Sequence, residues 1–347
     1  MFDDGGSLTP ELDALPRQIS TLGGLPGALR ARRWMLPLYP AAVGQLTDRL
    51  AMMHRRRGID LLVSTSSAAI KGLCPPPGVP HVCYCHSPAR YLWSQADQYG
   101  GTLQRLGLRV FGRTLRAWDR STAAHVSTFI ANSTHVARLI EEAYGRASTV
   151  IHPPARTAFF TPGDEPRGEQ WLAVGAIEPY KRFDVAIEAA RKAGTQLRIV
   201  GDGSVRADLE RTAPSNVRFM GRLGDEALRE EMRTAAALLF PQVEDFGITA
   251  VEAQACGLPI AARGEGGALD IVRDGVTGML CDGSVGELAE AAMRAASCDS
   301  GACVENAQRF GEARFEAAIE TALTAHLAAR APGPAPPPPR SRAEPTP

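Results

Sequence analysis

Between Trp171 and Leu280 the sequence alternates short apolar runs with stretches of helical period. The runs are Trp171–Val174, Leu197–Val200, Val217–Met220, Ala236–Phe240, Pro259–Ala262 and Gly278–Leu280. Between them lie FDVAIEAARKAG, SVRADLERTA, GDEALREEMRTA and ITAVEAQACG, the first and last closed by glycine. Strand and helix in turn are the sign of βαβ units and a parallel sheet, so this half predicts a nearly complete doubly wound domain. The first half offers fewer strands: Leu61–Ser64, Val82–Cys85, Phe129–Ala131 and Thr149–Ile151.

A chain of 347 residues exceeds the size at which single cores usually stop growing. Two domains follow, at 1–155 and 165–325. The segment HPPARTAFFTPGDEPRGEQ, His152 to Gln170, is rich in proline and glycine and reads as the linker. The tail at 331–347 is too proline-rich to bury apolar area and is expected to be disordered.

Zero net charge hides an asymmetry: residues 1–150 hold 17 Lys and Arg against 10 Asp and Glu, and the remainder holds 21 against 28. The basic half contains LQRLGLRVFGRTLRAWDR, where Leu106, Val110, Leu115 and Trp118 are read as one helical face against Arg105, Arg109, Arg113 and Arg116. Such a helix suits either ordinary packing on its own domain or peripheral contact with an anionic membrane. No apolar run is long enough to span a bilayer, and the acidic start MFDDGGSLTPELD is unlike a secretory signal, so a cytoplasmic location is expected. Seven cysteines without CxxC spacing read as reduced packing thiols. Nothing points to a nucleic-acid partner.

The chemistry concentrates in EDFGITAVEAQACGLPI, Glu244 to Ile260, with two glutamates eight positions apart. A strand ends at Pro241, and Gly247 opens a helix that Gly257 and Pro259 stop. The amides of Gly247, Ile248 and Thr249 are then unpaired donors at the positive end of a helix dipole, which is an anion site. Glu244 precedes this helix start and Glu252 lies a turn inside, so the pair can accept from hydroxyls on either side of a bound diphosphate. From spacing alone, the same carboxylates also fit helix-start acids and a surface residue. In VGAIEPYKRFDVAI, Lys181 and Arg182 stand at a loop-to-helix junction where a lysine can meet phosphate. VGDGS is weak evidence by itself, and GxxxxGK[ST] is absent. In FMGRLGD, Gly221 and Arg222 end a strand at the same edge, where backbone groups could read a base.

With these residues in view, the chain from about Ile59 to about Ala322 resembles the family-4 retaining glycosyltransferases of the GT-B fold: two Rossmann-like doubly wound domains facing a cleft. Glu244 and Glu252 match that family's E-x7-E motif, and Lys181 its phosphate-binding lysine. The resemblance implies that Glu244 holds donor-sugar hydroxyls and Glu252 the ribose. CYCHSPARYLW and FIANSTHVARLI are similar to the acceptor-side domain of a mannosyltransferase-like subgroup, which implies His86 near the donor sugar. It further implies GDP-mannose as donor, a glycan or lipid-linked acceptor in cell-surface polysaccharide synthesis, and neither cofactor nor metal. Two departures stand out. Ala176 fills a position where the family usually has an arginine. The N-terminal twenty residues contain no apolar run for the usual first strand and glycine-rich loop, so the first domain is expected to be incomplete. A nucleotide-sugar-binding protein without transfer activity is therefore the alternative.

Overall fold

The computed structural model describes residues 14–15, 19–32, 34–66, 68–93 and 102–328, without the side chains of 29, 30 and 102–109. The expectations for residues 1–13 and for the tail at 331–347 lie outside the described residues. Two parallel sheets form the molecule. The first holds β1 (Leu62–Ser66), β2 (His81–Cys85), β3 (Thr128–Ala131) and β4 (Ser148–Val150) in the order β1-β2-β3-β4. Around it lie α1 (Tyr39–Arg57), α2 (Thr102–Thr122) and α3 (Thr134–Tyr144).

The second sheet holds β5 (Trp171–Val174), β6 (Leu197–Val200), β7 (Val217–Gly221), β8 (Ala237–Phe240), β9 (Ile260–Arg263) and β10 (Gly278–Cys281). Its order is β10-β9-β8-β5-β6-β7, the doubly wound arrangement, within one or two residues of every run expected from sequence. Alternate strand residues enter opposite cores, as the two-residue strand period requires. Leu172, Leu238, Phe240, Ile260 and Ala262 pack with α7 (Ile248–Ala255). Trp171, Ala173, Leu197, Ile199, Leu239 and Ala261 pack with α4 (Phe183–Ala193) and α9 (Val285–Ala295). The outer segments include α5 (Arg206–Thr212), α6 (Asp225–Thr234), α8 (Ala268–Ile271) and α10 (Ser300–Ala307).

Three expectations change. The last helix, α11 (Glu312–Ala328), follows the second domain in sequence, yet its Phe315, Ala318, Ile319, Ala322 and Leu323 pack on Val82, Tyr84, Ile130 and Ile151 of the first. The segment assigned as a linker is tied down: Ala155 and Phe160 are fully buried in the second core, and Ala155 bridges to Gly311. Its aromatic and aliphatic residues outweigh its prolines.

On α2, Leu115 is buried but Val110 is 64% exposed, with Phe111 exposed beside it. Five residues advance a helix by about 140° beyond a full turn, so Val110 and Leu115 cannot share a face. The helix is anchored by polar chemistry instead. Asp119 is buried against Lys71 Nζ at 3.0 Å and accepts from Trp93 Nε1 at 2.7 Å and the Tyr144 hydroxyl at 2.9 Å. No described helix is long and apolar enough to cross a membrane.

Candidate active site

Strand order reverses between β5 and β8, where chain crossing from one strand leaves on one side and from the other on the opposite side. The crevice beyond their carboxyl ends is where such sheets take ligands. The loop after β5 carries Lys181 and the loop after β8 carries Glu244, so sequence segments 63 residues apart meet there: Lys181 Nζ forms an ion pair with Glu244 Oε1. Lys181 is aimed by a tight turn at Pro179–Lys181 followed by Arg182 in the left-handed region, φ 53°.

A cleft of about 300 Å³ opens between this edge and the first domain. His86, Arg90 and Asn132 line it from the first domain; Lys181, Glu244, Asp245, Gly247, Ile248 and Thr249 line it from the second. Gly247 has φ 112°, and no side chain caps α7, so the first amides of that helix face the cleft as free donors. Gly247 also has no room for a side chain, since a Cβ would stand 2.9 Å from Phe240 Cζ. Behind the loop, Gly266 and Gly267 press their backbones on Glu244 and Phe246, and the Gly267 amide donates to the Glu244 carbonyl at 2.8 Å. These two glycines set the position of Glu244 and went unmarked in the sequence reading; a GG pair after a strand was the available signal.

His86 leaves the end of β2 with its amide bonded to the Ser66 carbonyl at 2.8 Å. Its Nε2 and Thr65 Oγ1 are 2.8 Å apart, and Asn132 Nδ2 donates to its carbonyl at 3.2 Å. Burial lowers its pKa and Asp245 only partly opposes this, so the imidazole is neutral at pH 7. It is suited to hydrogen bonding with hydroxyls, as donor or acceptor.

Glu252 stands one turn into α7, buried, and is not among the residues that line the 300 Å³ cleft. Burial raises its pKa, while Arg156 works in the other direction. Arg156 Nε donates to Glu252 Oε1 at 3.2 Å, and its far end pairs with Asp225 at the start of α6. The guanidinium lies 4.9 Å from the Phe160 ring centre. Arg156 was hidden by the linker reading; the cation beside two phenylalanines was the signal.

The remaining expected site residues fall elsewhere. Arg182 is exposed and pairs with Asp184, Nε to Oδ1 3.1 Å, and is not among the residues that line the cleft. Gly221 ends β7, the outer strand of the sheet, and Arg222 follows it; neither is among the residues that line the cleft, and Arg222 is exposed. The glycines of VGDGS serve packing: a Cβ on Gly201 would lie 1.9 Å from the Gly175 carbonyl oxygen, and one on Gly203 2.3 Å from that of Ile177.

The first domain reaches the second through the same loop. Arg90 Nε donates to Asp245 Oδ2 at 3.0 Å, and Ser133, which caps α3 by accepting from Val136 N, donates its hydroxyl to the Asp245 carbonyl. Beside this, Asp270 accepts from the Thr134 amide at 2.7 Å and meets His152 Nε2 at 3.4 Å. Burial would raise the Asp270 pKa, but the bonds from His152 and Thr134 outweigh it and hold it low.

Comparison with known proteins accounts for both halves. Residues 7–159 match the family model described as Glycosyltransferase Family 4, and residues 156–316 the one described as Glycosyl transferases group 1. Among curated relatives, the D-inositol 3-phosphate glycosyltransferase of Geodermatophilus obscurus is 30% identical over 245 residues, 61% of this chain and 54% of the relative. That of Mycobacterium tuberculosis (strain F11) is 34% identical over 199 residues, 50% of this chain and 42% of the relative. The chain thus spans about half the length of the curated relatives it matches. Among solved structures, HepE of Anabaena in complex with UDP superposes with a TM-score of 0.63 at 20% identity, covering 81% of this chain and 82% of that one. Sucrose-phosphate synthase from Thermosynechococcus elongatus gives 0.67 at 17% identity, covering 84% and 79%. At these identities the likeness is one of fold.

Proposed function

The chain is of the group 1/family 4 glycosyltransferase type with a GT-B fold, and from that premise we propose that it transfers a hexose from a nucleoside diphosphate to an acceptor hydroxyl with retention at the anomeric carbon. One observation carries the reading: Lys181, Glu244 and the uncapped helix start at Gly247–Thr249 converge at the switch point of the second sheet, in a cleft shared with His86. In the transfer, the bond from the anomeric carbon to the outer phosphate oxygen breaks and a bond to the acceptor oxygen forms. The acceptor proton leaves with the departing diphosphate or to water. The helix start and Lys181 stabilise charge that grows on that leaving group, which is electrostatic catalysis without a protein nucleophile. Glu244 accepts from sugar hydroxyls once Lys181 turns to phosphate, neutral His86 bonds the same sugar, and Glu252 accepts from the ribose.

The mannosyltransferase-like segments CYCHSPARYLW and FIANSTHVARLI favour GDP-mannose as donor and a glycan or lipid-linked acceptor. The D-inositol 3-phosphate glycosyltransferases among its relatives favour a second acceptor class, a polyol phosphate, which suits the basic first half. Purified protein titrated by calorimetry with GDP-mannose, UDP-glucose and UDP-N-acetylglucosamine is expected to bind the guanosine compound most tightly. Tighter binding of a uridine donor overturns the base assignment. Donor binding without either transfer or donor hydrolysis would leave a nucleotide-sugar-binding protein and end the enzymatic reading.

A further inference from the structure

Each cation lining the cleft is paired with a carboxylate of the same loop. Lys181 is held by Glu244 and Arg90 by Asp245, so two positive and two negative side chains line a site built around a helix start that favours anions. A bound diphosphate adds roughly two to three negative charges. Lys181 alone does not balance them, and Arg182, the nearest cation in sequence, is paired with Asp184. Ala176, in the loop that brings Lys181 to the cleft, contributes no charge. The only other cationic side chain among the described lining residues is Arg90, and it comes from the opposite domain.

We propose that Arg90 is a phosphate-binding residue delivered across the cleft by the first domain, gripping the phosphate nearer the transferred sugar. The assignment rests on the donor-site reading given above.

Its geometry suits the task. Arg90 uses Nε and one Nη to bond a single oxygen of Asp245, Oδ2, which leaves guanidinium hydrogens of the fork unengaged by that carboxylate. A guanidinium can bridge a carboxylate and a phosphate at once, because its donors are fixed in one plane and point to two sides. Arg90 is also electrostatically close to Glu244 and Tyr180, which flank Lys181 in space and in sequence respectively. This places it at the Glu244 end of the site, where the proposed sugar contacts lie. Asp245 is the latch that stores the arginine: its carbonyl is held by Ser133 and its carboxylate by Arg90, both from the first domain. Diphosphate binding would then tie the two domains together through a residue of each, Lys181 and Arg90.

Calorimetry with UDP and GDP, each compared with its monophosphate, tests the assignment in wild type, Arg90→Gln, Arg90→Lys and Asp245→Asn. Arg90→Gln is expected to weaken the diphosphate by about tenfold to a hundredfold, the range of one or two charge-assisted hydrogen bonds. The monophosphate, lacking the outer phosphate, should change by less than about threefold in the same variant, and Arg90→Lys should recover part of the diphosphate affinity. Asp245→Asn releases the arginine and should leave diphosphate affinity unchanged or raised. If Arg90 only fastens the Asp245 loop, Arg90→Gln and Asp245→Asn weaken binding in parallel; that result overturns the proposal, as does wild-type diphosphate affinity in Arg90→Gln or an equal loss of monophosphate. Wild-type protein that binds neither UDP nor GDP removes the donor-site reading itself, and this assignment with it.

Discussion

Single residues divide here by what they touch. Glu244 and Glu252 sit eight positions apart on one loop-helix segment, yet Glu244 meets Lys181 in the cleft and Glu252 meets Arg156. If Glu252 accepts from the ribose as proposed, Glu252→Ala is expected to weaken free nucleoside diphosphate and intact donor alike, by about tenfold or more. Glu244→Ala should spare free diphosphate and lower turnover, measured by calorimetry beside single-turnover kinetics. Equal weakening of the free nucleotide by both would contradict the division. A second residue-scale expectation concerns His81, buried at the start of β2 with Nε2 2.8 Å from Ser64 Oγ. Burial pushes its pKa down from 6.5 to about 4, and the charges of His125 and Lys71 add to it. The unfolded chain binds the proton first as pH falls, so stability present above pH 6.5 is lost between about 6.5 and 4, by about 3 kcal/mol at most. Urea unfolding at pH 7 and pH 4 should show a smaller pH-dependent loss in His81→Gln than in wild type. An unchanged loss would remove His81 from the acid response.

Among the elements, α7 is the one whose start is proposed to hold the diphosphate. It is only eight residues long, Ile248–Ala255, and its Ala250, Val251, Ala253 and Ala255 lie inside the second core while Glu252 and Gln254 are buried beside them. The helix is positioned by tight packing at its entry, where Gly247 adopts φ 112° against Phe240. Gly247→Ala adds a methyl at 2.9 Å from Phe240 Cζ in a conformation that L side chains rarely adopt, a strain of about 1–3 kcal/mol. Thermal unfolding should shift down accordingly and diphosphate affinity should fall with it, because relief of the strain moves the donor amides. Retained affinity at lowered stability would show that the amides are not the anchor. The strands were legible in the sequence to within a residue or two, since a four-residue apolar run between turn residues has few other fates. Helix α2 was legible as a helix but not as a face: the pairing of Val110 with Leu115 ignored the helical angle, and its polar anchor Asp119 depends on Lys71 and Tyr144, distant in sequence.

At the scale of the whole molecule, α11 makes the two domains interdependent. Its Phe315 lies edge-on to Tyr84, ring centres 5.8 Å apart, and Ile319 and Leu323 continue the contact on the first sheet. Phe315→Ala with Ile319→Ala should destabilise that sheet by about 2–4 kcal/mol, below the figure for fully buried side chains because both are only partly buried. Hydrogen exchange should accelerate at β2 and β3 before β8 and β9. Uniform acceleration in both sheets would mean that the molecule opens as one unit. The sequence by itself determined the alternation of strand and helix and the parallel class of the sheets, because those follow from local periodicity; it singled out the Glu244–Glu252 segment and Lys181 by residue type together with family resemblance. Tertiary structure alone decided which residues share the cleft. Strand order brings the loops after β5 and β8 together, Lys181 pairs with Glu244 in the cleft while Arg182 pairs with Asp184 on the exposed side, and the approach of the first domain sets Arg90 against Asp245, 155 positions away. Contacts of that separation leave no trace in local pattern, since they depend on how two sheets face each other rather than on what either sequence prefers.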